Sequence, residues 1–271
     1  MKKFAVIGNP IDHSISPILH NWIFKKLMIK AQYNKILVKL NDLPGILDNI
    51  RNYKLHGINI TIPYKEKIIN FIDDINPRAK EIGSVNCIMY NHGKLVGNNT
   101  DWFGFSKALI NNEISIENRD VIVLGAGGTA KSIIYSSKLL GARSIKVVNR
   151  TLDNAKKLED GIVKIYSLDR LDEIIQDNSI IINTTSVGMN KENLLFNLNL
   201  ITQIQTLIDV IYNPFATPLI KQGKIIGAKT LNGLDMFIFQ GFASLDLWFG
   251  EDISNQINFT EIKTYLEKHI C

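Results

Sequence analysis

The sequence predicts an α/β protein of two domains, and three observations support this prediction. Short apolar segments alternate with helical segments over residues 1–72, and a second alternating series runs from residue 121 to residue 231. Such alternation is typical of mainly parallel sheets with helices on their faces. The length of 271 residues allows one large or two ordinary domains. In the second series a glycine-rich turn, Gly125–Ala130, directly follows a predicted strand.

The first series predicts three strands, each followed by a helix. We expect Ser16 to cap the first helix and Pro17 to be its first residue, since Ser and Pro are favoured at those positions. Cys87–Tyr90 and Lys94–Val96 predict a hairpin. The predicted strands are Lys3–Ile7, Tyr33–Leu40 and Gly57–Thr61, and the predicted helices are Ser16 to about Leu27, Leu43–Arg51 and Lys65–Phe71.

The second series predicts a second sheet. A predicted helix over Asp101–Ile110 leads into it, so the domain boundary is expected near residue 100. The two helices at the C-terminal end are compatible with packing on either domain. The predicted strands are Val121–Leu124, Ser144–Val148, Ile180–Asn183, Leu207–Val210 and Lys229–Leu231, and the predicted helices include Lys131–Leu140, Leu234–Phe249 and Phe259–Lys268.

The composition argues against several classes of protein. The net charge is +5, but the basic residues are dispersed and not interleaved with aromatic residues, which argues against nucleic-acid binding. No apolar run reaches the roughly 18 residues that a membrane-spanning helix needs. The five histidines lack the spacing of metal ligands. Cys87 and Cys271 lie far apart, which is consistent with a reducing cytoplasm rather than a disulfide framework.

The glycine-rich turn predicts a dinucleotide-binding site. Gly125 and Gly127 allow a tight turn and close approach of the backbone to a pyrophosphate, and Ala130 is the small residue where helix and strand pack. The N–H groups that begin the following helix favour negative charge. A glycine-rich turn in another kind of α/β protein is the alternative. The cofactor-binding residues predicted here are Gly125, Ala126, Gly127, Gly128, Thr129 and Ala130.

The residues after the next strand indicate which dinucleotide binds. An NAD-dependent enzyme normally carries an acidic residue there, whereas this chain has Asn149, Arg150 and Thr151. A guanidinium pairs with the 2′-phosphate of NADP, and a carboxylate would repel it. NADP is therefore favoured over NAD, with an arginine that merely lies on a surface loop as the alternative.

Polar residues follow the strands of the first series, at the sheet edge where ligands bind in α/β proteins. Asn9, Ser14 and Ser16 come after the first strand, and Thr61 and Lys65 come after the third. Taken singly, each has a structural explanation, such as a helix cap, a strand end or a solvated lysine. Taken together, they place hydroxyl groups and one cation at one edge, which suits a small polar anion.

Blocks of the sequence resemble the shikimate dehydrogenase family, in order, over nearly the whole chain. The first block, Gly8–Asn21, and the segment Asn59–Lys65 are specific to that family, whereas the glycine-rich turn is generic. The further blocks are Gly83–Asn86, Asn99–Phe105, Gly125–Ala130, Asn149–Thr151, Asn183–Met189, Asp209–Pro214 and Asn232–Gln240.

The resemblance implies an NADP-dependent reduction of 3-dehydroshikimate to shikimate, a step toward aromatic amino acids. It implies a substrate-binding domain formed by residues 1–100 and 238–271, and a Rossmann-type NADP domain formed by residues 101–237. The active site would lie in the cleft between them. We expect a monofunctional, cytoplasmic enzyme that acts on a small molecule; the resemblance leaves a homodimer open.

The resemblance also implies roles for individual residues. Lys65 would be the acid/base, with Asp101 beside it, and Ser14 and Ser16 would bind the carboxylate of the substrate. The substrate hydroxyls would be bound by Thr61, Asn86, Asp101 and Gln240, with Tyr212 at the pocket edge. The adenosine phosphate would be held by Asn149, Arg150 and Thr151, and the nicotinamide half approached by Thr185, Ser186, Val210 and Gly233.

Two other functions share part of this pattern. An NAD-preferring quinate/shikimate dehydrogenase has nearly all these motifs, but Arg150 and the two serines, Ser14 and Ser16, favour NADP and shikimate. A non-catalytic NADP-binding regulator would need neither Lys65 nor Asp101.

The chain departs from the family pattern at one cofactor position. Many NADP-using members of the family carry a second basic residue where this chain has Asn154, and Lys156 or Lys157 would substitute for it.

Overall fold

The computed structural model describes residues 1–175, 179–189, 198–250 and 252–270, but not the side chains of Asn154 and Leu198. The chain forms two compact units. Unit 1 contains Met1–Gly104 and Ile238–His269, and unit 2 contains Phe105–Phe237 and Ile270. Cys87 is a buried free thiol, while Cys271 lies outside the described residues. In the part of the chain that is described, no helix is long and apolar enough to cross a membrane.

Strands and helices alternate along the described residues. The strands are β1 (Lys2–Gly8), β2 (Ala31–Leu37), β3 (Gly57–Ile60), β4 (Asp74–Ile75), β5 (Cys87–Asn91), β6 (Lys94–Asn98), β7 (Asp120–Leu124), β8 (Ser144–Val148), β9 (Val163–Tyr166), β10 (Ile180–Asn183), β11 (Thr206–Asp209) and β12 (Lys229–Leu231). The α-helices are α1 (Ser16–Lys26), α2 (Leu43–Arg51), α3 (Pro77–Ile82), α4 (Asp101–Asn111), α5 (Gly128–Leu139), α6 (Leu152–Lys156), α7 (Leu171–Ile174), α8 (Pro218–Ile225), α9 (Leu234–Phe249) and α10 (Phe259–Glu267). Short 3₁₀ helices cover Leu40–Asp42, Lys67–Phe71, Leu168–Arg170, Leu198–Leu200 and Ile253–Gln256.

The sheet of unit 1 is mixed but mainly parallel. Its strand order is β2-β1-β3-β5-β6-β4. The central strand β1 pairs in parallel with β2 and β3, and β4 pairs in parallel with β6, whereas β5 is antiparallel to both of its neighbours. The predicted hairpin is thus confirmed. Residues Phe4–Ile7 of β1 are all buried, as expected of a parallel strand covered on both faces.

Three predictions for unit 1 need correction. Ser16 is not the N-cap: α1 begins at Ser16 itself, and its N–H donates to Ser14 Oγ (3.3 Å). The segment Lys65–Phe71 forms only a 3₁₀ helix from Lys67, because the Lys65 carbonyl already accepts a hydrogen bond from Val85 N (2.8 Å). Strand β2 ends at Leu37 because the chain turns into a 3₁₀ helix at Leu40.

The sheet of unit 2 is parallel throughout and has the Rossmann order. Its strand order is β12-β11-β10-β7-β8-β9, and all five pairings are parallel. The order reverses between β7 and β10, which is where ligands bind in such sheets. Strands β7, β8, β10, β11 and β12 lie within one residue of their predicted bounds. The prediction missed β9, a short strand at the edge of the sheet.

The part of α9 in unit 1 packs on the sheet of that unit through Trp248. The indole ring stacks on Phe4, with centroids 4.7 Å apart, and its Nε1 donates to the carbonyl of Ile88 (3.0 Å). Gly57, in β3, makes room for the ring, since a Cβ atom there would overlap the indole. This end of α9 is therefore held against β1, β3 and β5.

Gly57→Ala should lower the melting temperature of the protein. The added methyl group would displace the Trp248 indole, and overpacking of this kind typically costs about 1–3 kcal/mol. Gly45→Ala is the matched control, because a Cβ atom on this α2 glycine would meet no atom of the described residues within 4 Å and alanine favours helix. Thermal denaturation followed by circular dichroism checks both variants. Equal melting temperatures for the two would contradict the packing argument.

Candidate active site

The centre of the candidate site in unit 1 is an ion pair between Lys65 and Asp101. Lys65 Nζ lies 2.6 Å from Asp101 Oδ2, and the two side chains are 12% and 6% exposed. Lys65 follows β3 and Asp101 is the first residue of α4, where the helix dipole favours a negative charge. A short, desolvated pair of this kind keeps an ammonium group at a fixed place and direction.

Asn86 completes the surroundings of this ion pair. Its Nδ2 donates to the other carboxylate oxygen of Asp101, Oδ1 (2.8 Å), and to Thr100 Oγ1 (2.9 Å). The orientation of the amide is set because its Oδ1 accepts from the backbone N–H of Thr100 (2.7 Å). Gln240 Oε1 lies 3.5 Å from the same Nδ2. Four predicted residues, Lys65, Asn86, Asp101 and Gln240, are therefore brought together.

The two predicted serines also lie together. Ser14 Oγ donates to Ser16 Oγ (3.1 Å). The segments that follow β1 and β3 run side by side, since Asn9 N donates to the carbonyl of Ile62 (3.0 Å). Thr61, at the end of β3, is partly exposed. The predicted hydroxyl groups thus follow neighbouring parallel strands, at the edge where ligands bind in α/β sheets.

Several residues around the ion pair were not predicted. Asn99 caps α4, because its Oδ1 accepts from Asp101 N (3.0 Å). Asn59 Oδ1 accepts from Tyr33 Oη (2.7 Å), and its Nδ2 donates to Ser244 Oγ (2.9 Å). Asn59 and Asn99 stand inside motifs that the sequence singles out, but nothing in the sequence places Tyr33 or Ser244 beside them.

His20, the histidine of the first motif, is a packing residue. It is fully buried and lies flat against Tyr33, with ring centroids 4.2 Å apart. Neither ring nitrogen has a hydrogen-bond partner among the described residues. Burial lowers the pKa of His20 to about 3, so the ring is neutral near pH 7.

The glycine-rich turn of unit 2 has the geometry that dinucleotide binding requires. Gly125 has φ +108°, and a Cβ atom there would lie 2.7 Å from Thr184 Oγ1. A Cβ atom on Gly127 would meet no described atom within 4 Å, so packing within the protein does not account for this glycine. Helix α5 begins directly afterwards, at Gly128, and Ala130 is buried. These residues fit a pyrophosphate approaching the backbone.

The residues predicted to read the adenosine phosphate lie at the carboxyl end of β8. Arg150 and Thr151 are exposed. Asn149 Nδ2 donates to the carbonyl of Thr151 (2.7 Å), which closes a compact turn before α6. The Arg150 guanidinium therefore stands on a defined loop at the same sheet edge as Gly125. The side chain of Asn154 lies outside the described residues.

A buried polar network closes the sheet edge next to β10 and β11. Asn183 Oδ1 accepts from Thr185 Oγ1 (2.7 Å), and Asn183 Nδ2 donates to Asp209 Oδ1 (3.1 Å). Asp209 Oδ2 accepts from Thr217 Oγ1 (2.7 Å). Burial raises the pKa of Asp209 to about 6, against the lowering effect of these hydrogen bonds. The network holds the loop that carries Thr185.

Three further predicted residues follow β11 and β12. Gly233 lies directly against the Val210 carbonyl, where a Cβ atom would overlap the backbone. Tyr212 belongs to unit 2, and its ring lies 4.4 Å from that of Phe237. Ser186, beyond Thr185 on the neighbouring loop, is exposed. The structure thus places Val210 and Gly233 together, at the edge that also carries Gly125.

Asp209 should make the stability of unit 2 depend on pH. Its folded-state pKa of about 6 lies above its ordinary value, so the folded state binds the proton more tightly. The free energy of unfolding should therefore fall as the pH rises from about 4 to about 7, by about 3 kcal/mol from this group. Asp209→Asn should lose this dependence, and thermal denaturation across that range checks it. A pH-independent difference between the two proteins would contradict the argument.

The fold and the glycine-rich turn place the chain in a class of proteins. A parallel sheet in the Rossmann order, with a glycine-rich turn at its switch point, is the framework of a dinucleotide-binding α/β protein.

Residues 6–88 match the family described as shikimate dehydrogenase substrate binding domain, and residues 107–206 match shikimate / quinate 5-dehydrogenase. The NADP(+) shikimate dehydrogenase of Pyrococcus furiosus is 38% identical over 93% of this chain and 91% of its own length. The chain belongs to the shikimate dehydrogenase family.

Solved structures agree with this assignment. Shikimate dehydrogenase 1 from Peptoclostridium difficile superposes with a TM-score of 0.89 at 31% identity, covering 98% of each chain. A shikimate 5-dehydrogenase from Thermus thermophilus, solved in complex with NADP(H) and shikimate, superposes with a TM-score of 0.84 at 30% identity, covering 98% of this chain and 99% of that one. The fold predicted from the sequence, a substrate-binding α/β domain and a Rossmann-type domain, is the fold of this family.

Proposed function

We propose that this chain catalyses the reversible reduction of 3-dehydroshikimate to shikimate by NADPH, with Lys65 as the acid/base and Asp101 as its partner. Family membership makes the chain an NADP-dependent oxidoreductase that acts on a CH–OH group. The observation that carries the residue assignment is the 2.6 Å ion pair between Lys65 and Asp101, with only a small part of each side chain exposed. The pair combines a proton donor with a group that holds it in one direction.

The chemistry assigned to these residues is protonation of a developing oxyanion. NADPH, when bound, supplies the hydride that reduces the ring ketone of the substrate. The carbonyl oxygen then gains negative charge, and the Lys65 ammonium is suited both to stabilise that charge and to donate the proton. In the reverse direction Lys65 accepts the proton from the hydroxyl group. Asp101 orients the ammonium and binds a substrate hydroxyl.

The other polar groups of unit 1 are proposed to bind the rest of the substrate. Ser14 and Ser16 would bind its carboxylate, which the adjacent position of their hydroxyl groups supports. Thr61, Asn86 and Gln240 would bind its hydroxyls, since hydroxyl and amide groups both donate and accept hydrogen bonds. Tyr212 stays a predicted substrate-binding residue at the pocket edge. Unit 1 would accordingly be the substrate-binding domain.

Unit 2 is proposed to bind NADP. The turn from Gly125 to Ala130 would hold the pyrophosphate, which the open space at Gly127 supports. Arg150, with Asn149 and Thr151, would hold the 2′-phosphate. The nicotinamide half would lie near Thr185, Ser186, Val210 and Gly233, at the carboxyl ends of β10, β11 and β12.

We propose that the assembly is at most a homodimer, and sedimentation velocity would measure its oligomeric state. We also propose that the protein is located in the cytoplasm, which the two separated cysteines favour.

A four-way assay tests the function and separates it from its alternatives. The rate of cofactor reduction at 340 nm is measured with shikimate and with quinate, each with NADP and with NAD. The proposal expects the highest kcat/KM for shikimate with NADP. A preference for quinate or NAD would favour the quinate/shikimate alternative, and no rate with any pair would favour a non-catalytic regulator.

Lys65→Ala should lower kcat by a factor of roughly 10²–10⁴, the usual contribution of general acid–base catalysis, with a smaller change in KM for shikimate. Lys65→Arg keeps a cation beside Asp101 but does not release a proton near neutral pH, so it should also be nearly inactive. Lys67→Ala is the matched control, because Lys67 is exposed and two positions away. Turnover of Lys65→Ala close to that of Lys67→Ala would remove Lys65 from the mechanism.

Arg150→Ala should raise the KM for NADP by roughly 10- to 100-fold, as loss of a charge-assisted contact does, and change the KM for NAD much less. Arg143→Ala is the matched control, because Arg143 stands just before β8 while Arg150 follows its other end. Steady-state kinetics with both cofactors checks the prediction. An equal loss for NADP and NAD would show that Arg150 does not bind the 2′-phosphate.

A further inference from the structure

A buried series of hydrogen bonds leads from the interior of unit 1 to Asp101. Tyr33 Oη donates to Asn59 Oδ1 (2.7 Å), and Asn59 Nδ2 donates to Ser244 Oγ (2.9 Å). Ser244 Oγ lies 3.2 Å from Thr100 Oγ1, which accepts from Asn86 Nδ2 (2.9 Å). The same Nδ2 donates to Asp101 (2.8 Å). Every residue of this series is at most 6% exposed.

The hydroxyl groups of Thr100 and Ser244 form the junction of this series. Ser244 donates its single proton to the carbonyl of Gln240, one turn earlier in α9 (2.9 Å). Its oxygen is therefore left to accept. The Thr100 hydroxyl lies 3.2 Å from this oxygen and 3.3 Å from Asn86 Oδ1, and it is within hydrogen-bond distance of both acceptors. Thr100 Oγ1 in turn accepts from Asn86. Thr100 is thus joined to Asn86 by two contacts and to Ser244 by one, within a single buried network, and hydrogen bonds of one network strengthen one another.

We propose that the Thr100–Ser244 hydroxyl pair positions Asn86, and through it the Asp101 carboxylate, for proton transfer by Lys65. One N–H of Asn86 is occupied by Thr100, so the other is held toward Asp101 Oδ1. The pair also joins α9, which carries Gln240, to the start of α4. Thr100 and Ser244 are positioning residues, since they act through Asn86 and Asp101. This inference rests on the proposed function, because it assumes the Lys65–Asp101 mechanism.

The two hydroxyl groups differ from that of another buried serine nearby. Ser84 is also fully buried and lies two positions before Asn86, but its hydroxyl has no hydrogen-bond partner among the described residues. Removing the Ser84 hydroxyl therefore breaks no hydrogen bond, whereas removing that of Thr100 leaves a buried N–H of Asn86 without its acceptor at 2.9 Å. Ser84→Ala is for this reason the matched control.

The test uses steady-state kinetics with shikimate and NADP on the full chain. Thr100→Val, which replaces the hydroxyl by a methyl group of similar size, should lower kcat about tenfold, the effect expected from one lost hydrogen bond in the transition state. The KM for NADP should stay within about twofold. Thr100→Ser, which keeps the hydroxyl, should retain kcat within about twofold, as should Ser84→Ala.

The double variant Thr100→Val with Ser244→Ala tests whether the two hydroxyls act as one unit. Its kcat should be no lower than that of Thr100→Val alone, because removing the second member of a coupled pair adds little. Additive losses would overturn the pairing. Unchanged kcat in Thr100→Val, or an equal loss in Thr100→Ser, would overturn the positioning role.

Folding and activity controls keep the test decisive. If circular dichroism shows that Thr100→Val does not fold, the kcat of Ser244→Ala is compared with that of Ser84→Ala instead. A severalfold lower kcat in Ser244→Ala alone supports the inference. Equal kcat values for the two variants overturn it. Failure of the proposed function is recognised separately, since wild-type protein would then show no rate with shikimate. A fully active wild type with unaffected variants would overturn the positioning inference alone.

Discussion

The desolvated ion pair between Lys65 and Asp101 is the constraint on which the rest of unit 1 depends. Taking two charges out of water costs several kcal/mol for each ion, and their attraction offsets this only when further hydrogen bonds complete the geometry. Asn86 provides such a bond to the Asp101 carboxylate, and the dipole of α4 favours the negative charge on its first residue. The backbone of Thr100 holds Asn86 in turn. The fold of unit 1 therefore directs several buried polar groups toward one carboxylate.

Unit 2 fixes its loops by a different means. Its central parallel strands are covered on both faces and mainly apolar, so polar side chains collect at the carboxyl edge. Asn183, Thr185 and Asp209 tie the loops of that edge together. Gly125 has a backbone conformation that few other residues adopt, and Gly233 approaches Val210 too closely for any side chain. The loops that we propose to hold NADP are therefore set by buried hydrogen bonds and by glycine.

Much of the fold could be predicted because its signals are local. Continuous apolar strands such as β7 and β10, and the glycine turn before α5, depend on residues that are close in sequence. Predictions failed where a distant contact intervened. The helix expected from Lys65 does not begin there, because Val85 N occupies the Lys65 carbonyl. The edge strand β9 was not predicted, because a short strand that pairs with a single neighbour has little apolar pattern of its own.

The sequence by itself determined the α/β class, the dinucleotide turn, the cofactor preference expected from Arg150, and the identity of Lys65 and Asp101 as the residues of interest. Only the tertiary structure decided that these two side chains touch, and that Thr100 and Ser244 stand behind them. The physical reason is that side-chain hydrogen bonds have no period along the chain. Asn59 and Ser244 are 185 positions apart, and only the folded sheet and its covering helix bring them within 2.9 Å.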